Sequence, residues 1–312
     1  MPPFLSLIIG LAVLTLGAEL LVRGSAALAL RLGLTPLVVG LTVVAFGTSA
    51  PELVVSLQAA QRGSAEIAVG NVVGSNLCNL ALILGICALI RPLTTNRAVI
   101  WREVPILIGA TLIATAVLAN GYISVAEGIG LVVGLIIYTT VTIRQARREP
   151  DQTLGTEKPS VMGLPLAIGL SLGGLIGLLY GSDLFVAGAV EIARLWGWSE
   201  TMIGLTIVAI GTSLPELAIS VVAVKKGETD VAIGNVVGSS LFNLLGILGA
   251  AAIAAEGIVV TLQPHDLGML IVITLALWPL VQTGSRIDRR EGAALLLAYF
   301  AYVAWLMTAR YS

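Results

Sequence analysis

Charge is scarce in this chain. Of its 312 residues only 17 are basic and 18 acidic, and the formal net charge is −1. A soluble globular domain is about 25% charged; this chain is 11% charged and 57% hydrophobic. With a mean hydropathy of +1.00, the remaining residues cannot cover a water-facing surface. The soluble two-domain protein that the length alone suggests is excluded, and so is disorder. A near-neutral chain also lacks the basic field that nucleic acid requires. Histidine is almost absent: His265 stands alone, in what reads as a Pro-rich loop. No embedded Ser/His or His/Asp constellation therefore exists, which argues against an enzyme. Cysteine is nearly absent too. Cys78 and Cys87 share one apolar segment and read as small packers, not as a disulfide scaffold or metal site.

What is abundant is long apolar sequence. Stretches of about 17–25 apolar residues span a bilayer as helices. Ten are expected, at roughly 4–22, 36–60, 66–90, 103–119, 123–143, 163–188, 200–224, 230–254, 266–283 and 291–309. The first stretch has no basic residue before Arg23, unlike a signal peptide, and reads as a retained helix. With ten spans, 14 of the 17 Lys and Arg residues fall on one side. The exceptions are Arg62, Arg194 and Arg310. The positive-inside rule makes the rich side cytoplasmic. The segment 144–162 is then a cytoplasmic linker, and both termini lie outside a cell membrane.

The chain also repeats itself at an offset of 164 residues. Gly40–Leu57 reads GLTVVAFGTSAPELVVSL and Gly204–Val221 reads GLTIVAIGTSLPELAISV, with 12 of 18 positions identical. Ala68–Leu80 reads AVGNVVGSNLCNL and Ala232–Leu244 reads AIGNVVGSSLFNL, with 10 of 13 identical. The same offset pairs Gly17 with Gly181 and Glu19 with Asp183. Residues 1–143 and 163–312 are thus two five-helix units. An odd number of spans inverts the second unit, the arrangement of secondary transporters whose site lies between the copies. The expected fold is an all-α integral membrane protein with ten transmembrane helices in two inverted-topology repeats.

The matched segments carry the chemistry. Pro51 and Pro215 lack an N–H and crowd the carbonyl four residues earlier, so each helix should bend there and free backbone oxygens. Thr48 and Ser49 lie one turn before Glu52 on one face, with Ala45 a turn earlier. Ala209, Thr212, Ser213 and Glu216 repeat the arrangement. Asn71, Ser75 and Asn79 form a polar stripe at i, i+4, i+8, repeated as Asn235, Ser239 and Asn243. The donors are carboxylate, hydroxyl, amide and carbonyl oxygens, which suit Na⁺ and Ca²⁺ rather than zinc or copper. A carboxylate at the bilayer centre costs at least about 2.5–3.5 kcal/mol, and two at equivalent positions ask for bound cations. Gly70 with Gly74, and Gly234 with Gly238, should let helices approach closely. Glu19 reads as an ion pair with Arg23, and Asp183 as a hydrogen bond at a helix interface.

At these residues the chain resembles the sodium/calcium exchanger branch of the cation/calcium antiporter superfamily. Both halves carry the branch's repeats, GTSAPEL with GNVVGSNLCN and GTSLPEL with GNVVGSSLFN. The GN-x-x-E pattern usual in the proton/calcium branch is missing. The resemblance implies exchange of Na⁺ for Ca²⁺ by alternating access, with the first and sixth helices sliding across the bundle. No resident cofactor is implied beyond the transported ions. It implies a central Ca²⁺ site of Glu52 and Glu216 with the Thr48 and Thr212 carbonyls, completed by Asn79 and Asn243. Flanking Na⁺ sites would use Ala45, Thr48, Ser49 and Ser75, and Ala209, Thr212, Ser213 and Ser239. Relatives often carry Asp at the position of Asn243, so this cluster holds two carboxylates rather than three. Coupling to H⁺ or K⁺ on the same fold, and a cation channel, remain the alternatives.

Overall fold

The structure is a computed structural model that describes residues 1–32, 34–95, 99–148, 162–197, 209–260 and 264–309. Those residues are helical apart from connecting turns and four two-residue strands. The helices are α1 (Pro3–Leu32), α2 (Pro36–Thr48), α3 (Ala50–Gln61), α4 (Ala65–Ile90), α5 (Val99–Ala119) and α6 (Val125–Arg148). They continue as α7 (Leu164–Leu195), α8 (Leu214–Lys226), α9 (Thr229–Ala254), α10 (Pro264–Gln282) and α11 (Arg289–Ala309). A single helical turn, Ala209–Gly211, precedes α8. Among the described residues seven helices are long and apolar enough to cross a bilayer, and α2 with α3, bent by 47°, would make an eighth. Of the ten expected stretches, 200–224 falls partly on residues outside the described set. The last stretch, 291–309, is covered by α11.

The 164-residue offset recurs in the elements. Ala65–Ile90 and Thr229–Ala254 are separated by 164 at both ends. Each contains a π-helical segment at matching places, Cys78–Ile83 and Phe242–Ile247. Four short strands tie the halves together. Leu93–Thr94 (β1) pairs with Arg286–Ile287 (β4), and Tyr122–Ile123 (β2) pairs with Ile258–Val259 (β3), both antiparallel. The second pairing copies the first, with β3 set one residue beyond the offset.

Helices α1 and α7 run against each other with almost no gap. A Cβ on Gly17 would lie 2.5 Å from the Leu178 nitrogen, and one on Gly181 would lie 2.4 Å from the Leu14 nitrogen. Gly10 and Gly174 meet the backbones of Phe185 and Leu21 in the same way. Glycine is required at these positions because backbone fills the space of a side chain. Helix α9 makes a similar crossing with α2, where Gly234 and Gly238 meet the carbonyls of Leu37 and Leu41. Gly70 and Gly74, expected to behave alike, meet no described atom within 4 Å. The segment that the offset places against them, 201–205, is outside the described residues.

The expectation for His265 is corrected. His265 lies in the first turn of α10, not in a loop, with its ring edge-on to Trp305 at 4.4 Å. Its neighbour Asp266 is buried and accepts a hydrogen bond from the Tyr302 hydroxyl. Cys78 and Cys87 are free and buried, as packers should be.

Candidate functional site

The site begins at a helix break. Ser49 ends α2 and precedes α3 with φ −82° and ψ 11°, outside helical geometry. Pro51 follows in the first turn of α3, where its missing N–H costs nothing. Ser213 holds the same position before α8, with φ −90° and ψ 8°. Both breaks therefore lie two residues before the proline. Each places a serine and, three residues on, a glutamate at the start of a new helix. Glu52 and Glu216 are each only 1% exposed.

The two breaks are joined crosswise. The Ser49 hydroxyl donates to Glu216 Oε1 at 2.8 Å, and the Ser213 hydroxyl donates to Glu52 Oε1 at 3.3 Å. Ser239 on α9 donates to Glu216 Oε1 at 3.5 Å and to the Ala45 carbonyl at 3.4 Å. Thr48 returns its hydroxyl to the carbonyls of Val44 and Ala45 and also donates to Asn235 Oδ1 at 3.1 Å. Such back-bonding is typical where a helix bends. Ala45 is fully buried and contributes its carbonyl. Thr212 lies in the turn before α8, half-buried, and Ala209 in the helical turn that precedes it.

Several polar atoms of the expected ion ligands have nothing bonded to them. Glu52 Oε2, Glu216 Oε2, the Ser75 hydroxyl, Asn79 Oδ1 and both amide atoms of Asn243 are buried without a hydrogen-bond partner. Buried polar atoms in native proteins are nearly always satisfied. Here the unsatisfied atoms are mostly oxygens, and they collect on residues matched by the repeat. Asn79 and Asn243 also lie inside the two π-helical segments. A π-turn inserts an extra residue into the helical ladder and is frequent at functional sites. Both carboxyl groups accept their side-chain hydrogen bonds from hydroxyls, and among the described residues no basic side chain pairs with either. Among the described residues no group of three or more His, Cys, Asp and Glu side chains comes together. A cation here would be held by the carboxylate pair with hydroxyl, amide and carbonyl oxygens, a hard-ligand set.

Two braces escaped the sequence reading. Asn71 Nδ2 donates to the Glu52 carbonyl at 3.1 Å and to Ser56 at 2.9 Å. Asn235 Nδ2 donates to the Glu216 carbonyl at 3.3 Å and to Ser220 at 3.0 Å. Ser56 and Ser220 are themselves offset-matched, which was the available signal. Asn71 thus closes the first turn of α3 rather than offering its amide to an ion.

Other acids lie elsewhere. Glu19 pairs with Arg23 at 2.6 Å, as expected, and also with Lys226 at 2.5 Å. Asp183, expected at a helix interface, is exposed. Glu103 is completely buried, bonded to Arg102 and to the Tyr138 hydroxyl.

The profile of the family described as sodium/calcium exchanger protein matches residues 2–144 and again 166–308. The second match is displaced from the first by 164 residues at both ends. The inner membrane protein YrbG of Escherichia coli is 36% identical over 96% of this chain and 94% of its own. The sodium/calcium exchanger MaX1 of Methanosarcina acetivorans is 30% identical over 97% of this chain and 98% of its own. Among solved structures, the sodium-calcium exchanger NCX_Mj soaked with Na⁺ and without Ca²⁺ superposes with a TM-score of 0.86. It is 31% identical, and the match covers 97% of this chain and 98% of that one. The chain belongs to the sodium/calcium exchanger protein family.

Proposed function

We propose that the protein is a Na⁺/Ca²⁺ antiporter working by alternating access, with Ca²⁺ exported at the expense of inward Na⁺ flow. The observation that carries this reading is the pair Glu52 and Glu216, almost fully buried, each with one oxygen unbonded. An isolated carboxylate pair deep in a bilayer is expensive without cations. Two carboxylates balance one Ca²⁺ or two Na⁺, so the two ions compete for one locus. The unloaded site is too costly to cross, and that competition produces obligatory exchange.

Ca²⁺ binds between Glu52 and Glu216, with Asn79, Asn243 and the carbonyls of Thr48 and Thr212 completing its shell. Na⁺ binds on the flanks, at Ala45, Thr48, Ser49 and Ser75 and at Ala209, Thr212, Ser213 and Ser239. Ten spans in two inverted repeats, 1–143 and 163–312, supply the two related states. The duplicated elements and the two copies of β-pairing support that architecture. The segment 144–162 is cytoplasmic, with both ends of the chain on the opposite face of the cell membrane.

The protein is an ion transporter rather than an enzyme, and its ligands are inorganic cations. The deciding experiment is Ca²⁺ flux in proteoliposomes. An imposed Na⁺ gradient should drive Ca²⁺ the other way. Flux that follows only a pH or K⁺ gradient would replace sodium as the coupling ion, and conductance without any counter-ion would indicate a channel.

A further inference from the structure

We propose that two ion pairs at opposite ends of the α1–α7 pair are made in alternation, Glu19–Lys226 in the arrangement seen here and Asp183–Arg62 in the opposite one. The inference rests on the alternating-access reading and adds the contacts that hold each state. The offset of 164 converts Glu19 into Asp183 and Lys226 into Arg62. The two pairs are therefore copies of one contact, placed at opposite faces if the halves are inverted.

Only one copy is made. Glu19 on α1 accepts from Lys226 at the end of α8, 2.5 Å away. Asp183 on α7 and Arg62 beyond α3 are both exposed, and among the described residues no ion pair joins them. The packing is uneven in the same sense. Helix α1 lies along α8, whereas α7 does not lie along α3. Gly47 and Gly211 are repeat mates, yet both face α7, at Leu175 and Val186. A centred arrangement would set Gly211 against Leu11 of α1. The glycine contacts lock α1 and α7 into one body, and that body sits toward the Lys226 end.

A rigid body between two symmetric stops closes one end as it opens the other. Each end carries an acid on the moving body and a base at the end of a broken helix. An ion pair this exposed contributes little stability, which suits a contact broken in every cycle. The copies differ in one respect. Glu19 keeps Arg23 on its own helix, where the second copy has Ala187. Glu19 remains paired when Lys226 departs, while Asp183 gains its basic partner only on closure.

Paired cysteine substitutions and a short bifunctional maleimide test this in native membranes, read by mass spectrometry of the cross-linked peptides. The readout needs no transport, so it stands even if sodium coupling fails. Glu19→Cys with Lys226→Cys should cross-link, and so should Arg62→Cys with Asp183→Cys. In a chain carrying all four, one cross-link should exclude the other. Single substitutions, labelled with a monofunctional maleimide, verify folding and access; Cys78 and Cys87 are buried and should stay silent. If positions 62 and 183 label singly but never cross-link, with or without Na⁺ and Ca²⁺, the proposal is overturned. Both cross-links accumulating in one molecule overturns it as well. As a second measure, Glu19→Lys or Lys226→Glu, each placed in the chain carrying Arg62→Cys with Asp183→Cys, should raise the ratio of cross-linked to uncross-linked molecules by up to about fivefold, the scale of an exposed ion pair. Combining them should restore it, and unchanged ratios in the single variants would overturn the proposal.

Discussion

The hydroxyl of Ser49 is bonded to Glu216, 2.8 Å away in the other half of the chain, and not to Glu52 three residues along its own helix. Ser213 returns the contact to Glu52 at 3.3 Å. Each half thus completes the carboxylate of the other, and the pair behaves as one crossed unit.

Exchange of Ser49 for Ala should leave Glu216 with a weakened hydrogen-bond set, at a cost of about 1–3 kcal/mol for the orphaned group. The effect should couple across the halves. In a double-mutant cycle read by thermal unfolding in detergent, Ser49→Ala and Glu216→Gln should be non-additive. Ser49→Ala and Glu52→Gln should be closer to additive. The reverse ordering would contradict the crossed geometry.

Removing either charge should abolish exchange. Glu52→Gln and Glu216→Gln each delete half of the neutralising charge in a buried site, and the loss of Ca²⁺ affinity should be roughly a hundredfold or more. The protein should nonetheless fold. Without Ca²⁺ the unfolding temperature should hold or rise, since one buried carboxylate is gone. The rise that Ca²⁺ produces in the parent should vanish. Retained exchange in either variant would remove these residues from the site.

Neighbouring glycines on α7 should answer in opposite ways. A Cβ on Gly174 would lie 2.5 Å from the Leu21 nitrogen, whereas one on Gly173 meets nothing within 4 Å. Gly174→Ala should destabilise by about 1–3 kcal/mol through overpacking. Gly173→Ala should be neutral or slightly stabilising, because alanine is the better helix former by roughly 0.5–1 kcal/mol. Thermal unfolding of the two variants checks this directly, and equal responses would refute the close packing of α1 on α7.

Asn243 has both amide atoms buried and unbonded, and an amide cannot take up a proton in this range. Asn243→Asp should therefore make exchange fall more steeply on acidification. Ca²⁺ flux measured across pH in both proteins decides it; identical profiles would mean that position 243 is not part of the ion locus.

Much of this was legible in the sequence, because duplication records itself. The offset of 164 located the matched helices, the breaks near Pro51 and Pro215, and the convergence of Glu52 with Glu216. What was hidden depends on contacts between the copies. Helical spacing put Ser49 and Glu52 on one face, but a break between them redirected the serine across the interface. The asparagine stripe looked uniform, yet Asn71 braces the Glu52 carbonyl while Asn79 stays open. The π-segment that separates their roles has no propensity signature. Lys226 falls between two of the apolar stretches, and only the fold brings it to Glu19.

The four short strands have a consequence for assembly. Neither half pairs its own strands: β1 finds β4 and β2 finds β3, always across the duplication. A half produced alone would keep two unmet edges and one uncompensated carboxylate. Supplied with the other half as a separate chain, it has every partner it needs. The molecule is in this sense a two-subunit complex written as one polypeptide. Its halves should reassemble from co-expressed fragments divided within 149–161, and neither should hold ions by itself.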